Sequence, residues 1–246
     1  MPSGRATSAL PRRPKPIAVD PLRITVLTGA GISAESGLAT FRASDGLWEE
    51  HRIEDVASPE GFVRDPDLVH RFYNDRRKGA AAAQPNAAHR ALAELAGRHD
   101  LTLITQNVDD LHERAGSPDV IHMHGSLSTA LCASCGHRWP APAEMSPQTP
   151  CPSCAALAAR PDIVWFGEMP YHMERIWAAL EDCDLFAAIG TSGNVYPAAG
   201  FAQHAGRMGA NCIELNLQNS ATSRDFDHHI RGPASETVPG WVASLS

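Results

Sequence analysis

Four cysteines carry the most specific chemistry in the chain: Cys132-x2-Cys135 and Cys151-x2-Cys154, separated by fifteen residues. Two such knuckles can meet at one tetrahedral ion. Four thiolates with no histidine or water ligand make a closed, structural Zn2+ site, because a catalytic zinc keeps one position open. The other reading, two redox dithiols, suits a CxxC that follows a strand in a βαβ unit. These pairs lie instead in a Pro-rich stretch from Ser126 to Arg160, which reads as an insertion. Zinc binding of about 10 kcal/mol or more would hold an insertion too small to build its own core. Cys183 and Cys212 stand singly in apolar runs, so the six cysteines do not form a disulfide framework, and a reducing cytoplasm is the expected compartment.

A second group of residues points to a nucleotide. The apolar run Ile24 to Leu27 breaks into Gly29-Ala30-Gly31 with Ala34 in the third position, a strand-turn-helix pattern. Glycines there allow a sharp turn and a close approach of backbone N–H groups to a pyrophosphate at a helix N-terminus. A tight βα turn without a ligand has the same pattern. Farther on, the strand Leu101 to Thr105 delivers Gln106-Asn107-Val108-Asp109-Asp110, and the run VIHMHG ends in His122, His124 and Gly125. Ligands of open α/β sheets bind beyond the carboxyl ends of strands, so these groups should face the crevice of Gly29.

The elements that must position them alternate. Pro66 opens a helix ending at Gly79, on which Val69, Tyr73 and Arg76 share a face. A helix from Asn86 precedes the strand at Leu101. After the insertion the rhythm resumes with IVWFGE (Ile163 to Glu168), helix HMERIWAAL, strand DLFAAIG, helix PAAGFAQHAGRMG and strand CIELNL. This alternation predicts a Rossmann-like, doubly wound parallel sheet with a smaller zinc-ribbon and helical domain inserted. The expected division is a flexible tail over 1–20, a nucleotide-binding domain over 21–43, 85–126 and 161–246, and a small domain over 44–84 and 127–160. The irregular stretch after Arg42, broken by Gly46, Pro59 and Gly61, reads as a loop able to fold over a ligand.

Composition limits the partners. A net charge of -7 argues against nucleic acid or an anionic membrane as the main ligand, and no run approaches the roughly 18 apolar residues of a membrane span. The Pro-, Arg- and Ser-rich residues 1–20 lack the apolar core of a signal peptide, and their Arg content bears only a weak likeness to a transit peptide.

GAGISAESG with TFR, then TQNVDDLH, HMHG, the cysteine ribbon, WFGE, GTSGNVYPAA and ELN follow one another in the order and spacing of the sirtuins. The chain from Arg23 to Pro239 resembles these NAD-dependent protein-lysine deacylases, most closely class III, the branch that removes succinyl and malonyl groups. The resemblance implies NAD as co-substrate, attack of the acyl-lysine carbonyl oxygen on C1′ of the nicotinamide ribose, and products nicotinamide and 2′-O-acyl-ADP-ribose. It implies His124 as the base for a ribose hydroxyl, an imidazole whose ordinary pKa of about 6.5 suits that role, and leaves His122 structural. Asn107 and Asp109 would hold the ribose and nicotinamide region, beside Gln106; N-capping of the next helix is their alternative role. The remaining cofactor contacts implied are Gly29, Ala30, Gly31, Glu35, Phe41, Arg42, Gly190, Thr191, Ser192, Asn216, Leu217, Gln218 and Ala234, with Ala39 to Arg42 as a moving lid.

The resemblance also implies that extended segments around Trp165 to Glu168 and Gly193 to Pro197, through Val164, Phe166, Gly167, Glu168, Asn194 and Val195, take an acyl-lysine peptide as an added strand. Tyr73-x2-Arg76 matches the pair that binds the distal carboxylate of an acidic acyl chain, for which a phenol and a guanidinium fork are apt. Two positions depart from the family: Ala39 replaces a usual Pro, and Ala43-Ser44 a common Gly. Monomeric action is expected. Two alternatives use the same pocket: an ADP-ribosyltransferase or NAD glycohydrolase, and a non-catalytic NAD or ADP-ribose module, which the intact His124, Asn107 and Asp109 disfavour.

Overall fold

The computed structural model describes residues 21–39, 47–48 and 51–245. From the amino end, β1 (Arg23–Thr28) is followed by β2 (Leu47–Trp48), β3 (His51–Arg52) and helices α1 (Ile53–Val56), α2 (Pro59–Arg64), α3 (Pro66–Ala82) and α4 (Ala87–Ala96). Then come β4 (Asp100–Thr105), α5 (Leu111–Arg114), β5 (Val120–His122), β6 (Gly125–Cys132), β7 (Arg138–Pro140) and β8 (Ala159–Ile163). The chain closes with α6 (Met173–Asp182), β9 (Leu185–Ile189), α7 (Phe201–Met208), β10 (Asn211–Asn216), β11 (His228–Arg231) and α8 (Ala234–Ala243). Among these helices, none is long and apolar enough to cross a membrane.

The main sheet has the order β11-β10-β9-β1-β4-β5, parallel throughout. Numbering its six strands along the chain gives the doubly wound order with the reversal between β1 and β9, where a ligand crevice opens. Both faces are covered, which is why the strands read as continuous apolar runs. Ile24, Val26 and Leu103 pack under α4 and α8, and Leu27, Ile104 and Phe186 under α6 and α7. Fully buried side chains such as Val26, Ile104 and Phe186 each contribute about 1.5–3 kcal/mol.

A separate three-stranded antiparallel sheet, β7-β6-β8, packs with α1 and α3 around Val56, Val69, Phe72, Tyr73, Leu127, Ile163 and Trp165. This sheet takes in residues 125–126 and 161–163 beyond the insertion anticipated over 127–160. IVWFGE is accordingly not a strand of the parallel sheet. Only Ile163 belongs to a strand, in the small sheet, and the chain turns at Trp165 to Glu168 with Gly167 at φ 91°. An apolar run alone cannot say which sheet it joins. Helix α3 passes Gly79 to Ala82, because the alanines after the glycine favour helix; Pro85 then prevents continuation.

The described residues after Gly29 form two short 3-10 turns, Ala30–Ile32 and Ala34–Ser36, rather than the opening of an α-helix. The helix dipole expected at the glycine turn is therefore missing from this segment.

Candidate active site

The glycines at 29 and 31 serve a close approach of backbone to backbone. Gly29 N donates to Ile189 O and Gly31 N to Gly190 O. A Cβ at Gly29 would lie 2.8 Å from Gly190 O, and one at Gly31 2.7 Å from Gly190 Cα. The ends of β1 and β9 thus lock together at the switch point, and the Gly31 N–H is engaged inside this lock. Gly190 itself sits at φ 62°, where a side chain would be strained.

A polar lattice continues across the neighbouring strand ends. Gln106 Nε2 donates to Thr191 Oγ1 at 2.9 Å, and Asn216 Nδ2 to Thr191 O at 2.8 Å, joining the ends of β4, β9 and β10. These groups floor a cavity of about 730 Å³, within the range of small-molecule sites.

Beneath the cavity lies a buried junction that sequence reasoning did not assign. Ser33 Oγ donates to Asp109 Oδ2 at 3.2 Å and accepts from Asn107 Nδ2 at 3.2 Å. His89 Nε2 lies 3.4 Å from the same oxygen. Because Asn86 N donates to His89 Nδ1, the imidazole carries its proton on Nε2 and donates to Ser33. The serine thereby fixes the amide and the carboxylate of Asn107 and Asp109 relative to one another. Its place in the GAGIS motif was the available signal. Burial pushes the Asp109 carboxyl pKa up, against hydrogen bonds from Leu111 N and Ser33. Asp109 Oδ1 accepts Leu111 N at 3.1 Å from just before the helix, whereas Asp110, at the N-cap position, makes no side-chain cap bond.

The two histidines of the VIHMHG run differ in environment. His124 lines the cavity, with Nδ1 3.2 Å from Gln106 O; a carbonyl can only accept, so Nδ1 holds the proton and Nε2 keeps its lone pair. Burial pushes its pKa below the ordinary imidazole value, leaving it neutral at neutral pH. His122 lies between Asn107 O at 3.1 Å and Glu113 Oε1 at 2.6 Å. Burial opposes its charge, but the Glu113 carboxylate more than compensates and raises its pKa. His124 has the form of a base; His122 has that of a structural cation.

The far wall comes from the small domain. Tyr73 and Arg76, on one face of α3, line the cavity with Val164, Phe166, Gly167 and Glu168; Asn194 and Val195 approach from the other side. Each segment flanking this cleft contains a glycine at positive φ, Gly167 at 91° and Gly193 at 71°. Val164 N donates to His124 O, Phe166 N to Ala57 O, and Glu168 N to Trp165 O. The amides of Val164, Phe166 and Glu168 are thus engaged within the protein, the first two by His124 and Ala57 and the third in a local turn.

Gly29, Ala30, Gly31, Gln106, Asn107, Asp109, Gly190, Thr191, Ser192, Asn216, Leu217 and Gln218 all line the cavity. Glu35 and Ala234 do not. The Glu35 carboxylate instead accepts from Ser235 N at 2.9 Å and Ser235 Oγ at 2.6 Å at the start of α8, an exposed cap of the helix that Ala234 opens. Phe41 and Arg42 lie outside the described residues.

The cysteines form a separate centre, away from the cavity wall. The Sγ atoms of Cys132 and Cys154 are 3.7 Å apart, those of Cys135 and Cys151 3.8 Å, and all four lie within 4.8 Å. A tetrahedron with Zn–S bonds of about 2.3 Å has edges of about 3.8 Å, so the four thiols fit one zinc. Tight turns shape the knuckles: Gly136 N donates to Cys132 O and Ala155 N to Cys151 O.

With this geometry in view, the Sir2 family model matches residues 29–197. The chain belongs to the Sir2 family. An NAD-dependent protein deacylase of Caulobacter vibrioides is 53% identical over 230 residues, covering 91% of this chain and 97% of that protein. A crystal structure of a Sir2 homologue–NAD complex superposes with a TM-score of 0.83 at 42% identity, covering 90% of this chain and 88% of that one. A Sir2 structure bound to a propionylated peptide gives a TM-score of 0.76 at 27% identity, covering 92% and 95%. The Sir2 fold expected from the motif series is thus established over nearly all of the chain, including the segment carrying the cysteine ribbon.

Proposed function

We propose that this chain is an NAD-dependent protein-lysine deacylase that prefers succinyl and malonyl over acetyl groups and yields nicotinamide and 2′-O-acyl-ADP-ribose. The deacylase part rests on family membership, on relatives of that name and on related structures holding NAD or an acylated peptide. The acyl preference rests on one observation. Tyr73 and Arg76 share a single cavity with His124, Asn107, Asp109 and the β1–β9 glycine lock.

Bound NAD supplies an electrophilic ribose C1′ with a departing nicotinamide. His124 Nε2 accepts the proton of a ribose hydroxyl, its ring held by the Nδ1 bond to Gln106 O. Asn107 and Asp109, aligned by Ser33, hold the hydroxyl and amide groups around that carbon. Tyr73 and Arg76 grip the distal carboxylate, and Phe166 and Val195 flank the lysine stem. Cys132, Cys135, Cys151 and Cys154 hold one structural Zn2+. The assembly and compartment that accompany this reading are a monomer in a reducing cytoplasm.

A charge-assisted hydrogen bond contributes about 1.5–3 kcal/mol, or roughly ten- to a hundredfold in binding. The test compares acetyl, malonyl and succinyl forms of one peptide with NAD, reading nicotinamide and acyl-ADP-ribose by mass spectrometry. Arg76→Ala should raise KM for the succinyl peptide at least about tenfold. Equal turnover of the succinyl peptide by Arg76→Ala and wild type would remove the acidic-acyl assignment. Free or protein-linked ADP-ribose without acyl transfer would remove the deacylase assignment itself.

A further inference from the structure

We infer that Trp165 is a positioning residue for acyl selectivity, setting the hydrogen-bond polarity of Tyr73 through its indole N–H. This rests on the acidic-acyl reading above and identifies a residue outside the Tyr73/Arg76 pair. Trp165 Nε1 donates to Tyr73 Oη at 3.1 Å, with the two residues 2% and 0% exposed. An indole N–H can only donate, so the phenol oxygen accepts on that side and its single proton is directed to another acceptor. A carboxylate is acceptor-only and matches such a phenol; the methyl end of an acetyl group does not. Burial also keeps the Tyr73 hydroxyl protonated, raising its pKa far above the ordinary phenol value.

The indole is held firmly enough for this role. Arg160 donates from Nη1 to Glu168 Oε1 at 2.7 Å and from Nη2 to Glu168 Oε2 at 2.9 Å. Glu168 Oε2 also accepts Trp165 N at 2.9 Å, closing the turn on itself. The guanidinium lies 3.5 Å from the centroid of the Trp165 ring, and Phe62 packs at 5.2 Å. The backbone of Trp165 is thus held by Glu168 and its ring by Arg160 and Phe62, leaving it little freedom to turn its N–H away from Tyr73. A half-buried ion pair so placed orients a neighbour, whatever its net effect on stability.

The experiment measures kcat and KM for succinyl and acetyl versions of one peptide, with wild type, Trp165→Phe, Arg76→Ala, Tyr73→Phe and the Trp165/Tyr73 double variant. Phenylalanine keeps an aromatic face beside Arg160 and lacks the N–H. Trp165→Phe should lower the succinyl-to-acetyl ratio of kcat/KM about fivefold or more, through the succinyl KM, and should lower it no further when Tyr73 is already Phe. Should Trp165→Phe fail to fold, benzothienylalanine at position 165 keeps the bicyclic shape with sulfur in place of N–H, and the same fall is expected. An unchanged ratio, or equal and independent losses in the two Tyr73 backgrounds, overturns the inference. A ratio that falls in Arg76→Ala and not in Trp165→Phe overturns this inference alone. A ratio indifferent to Arg76→Ala removes the acidic-acyl reading and this inference with it.

Discussion

Acidification should unlock the site through His89. This imidazole is fully buried, accepts Asn86 N at the start of α4 and donates to Ser33, so a second proton would break the helix cap and charge the junction under Asn107 and Asp109. Burial, with a smaller effect from Arg90, lowers its pKa to about 4, against about 6.5 in the unfolded chain. Between these values the unfolded state binds more protons, so the stability is full above about 6.5 and is lost as pH falls toward about 4. Linkage puts the loss at about 2 kcal/mol at pH 5 and about 3 kcal/mol below both values. His112, whose pKa burial depresses further, acts with the same sign, while the raised pKa values of His122 and Asp109 act oppositely. His89→Gln isolates this contribution, because an amide can accept from Asn86 and donate to Ser33 without titrating. Urea unfolding at about pH 7.5 and about pH 5, in zinc-containing buffer, should show the variant losing about 2 kcal/mol less than wild type on acidification. Equal losses in the two proteins would refute the reasoning.

Three further substitutions separate the parts of the molecule. Cys151→Ser should release zinc, counted with a chromophoric chelator after denaturation, and lower Tm by about 10 °C or more; an unchanged zinc content would contradict the four-thiol site. Gly31→Ala places a Cβ 2.7 Å from Gly190 Cα and should cost about 1–3 kcal/mol in urea unfolding with a raised KM for NAD. Gly79→Ala, with no atom within 4 Å of the added Cβ in a helix, should instead stabilise by up to about 1 kcal/mol; similar effects at the two positions would refute the assigned glycine lock.

Much of the molecule was legible along the chain, because its signals are local. Apolar runs of strand length alternating with amphipathic helices imply a covered parallel sheet, and the spacing of Cys132, Cys135, Cys151 and Cys154 implies one closed metal site, both from short-range geometry. The motif series carried the family, and with it the residues expected around NAD. Tyr73 and Arg76 could be placed on one face of α3 from helical periodicity alone.

Other features depend on groups distant in sequence. That Gly29 and Gly31 face Gly190 follows from the strand order, which brings together turns some 160 residues apart. Ser33 gains its meaning only when His89, Asn107 and Asp109 converge on one oxygen. Glu35 was expected at the cofactor and instead caps α8 through Ser235, 200 residues away. The composition of IVWFGE could not reveal that its first residue joins the small antiparallel sheet and that its tryptophan reaches Tyr73. Sequence periodicity specifies which face of an element is buried; hydrogen-bond polarity and pKa depend on what stands opposite, which only the folded chain decides.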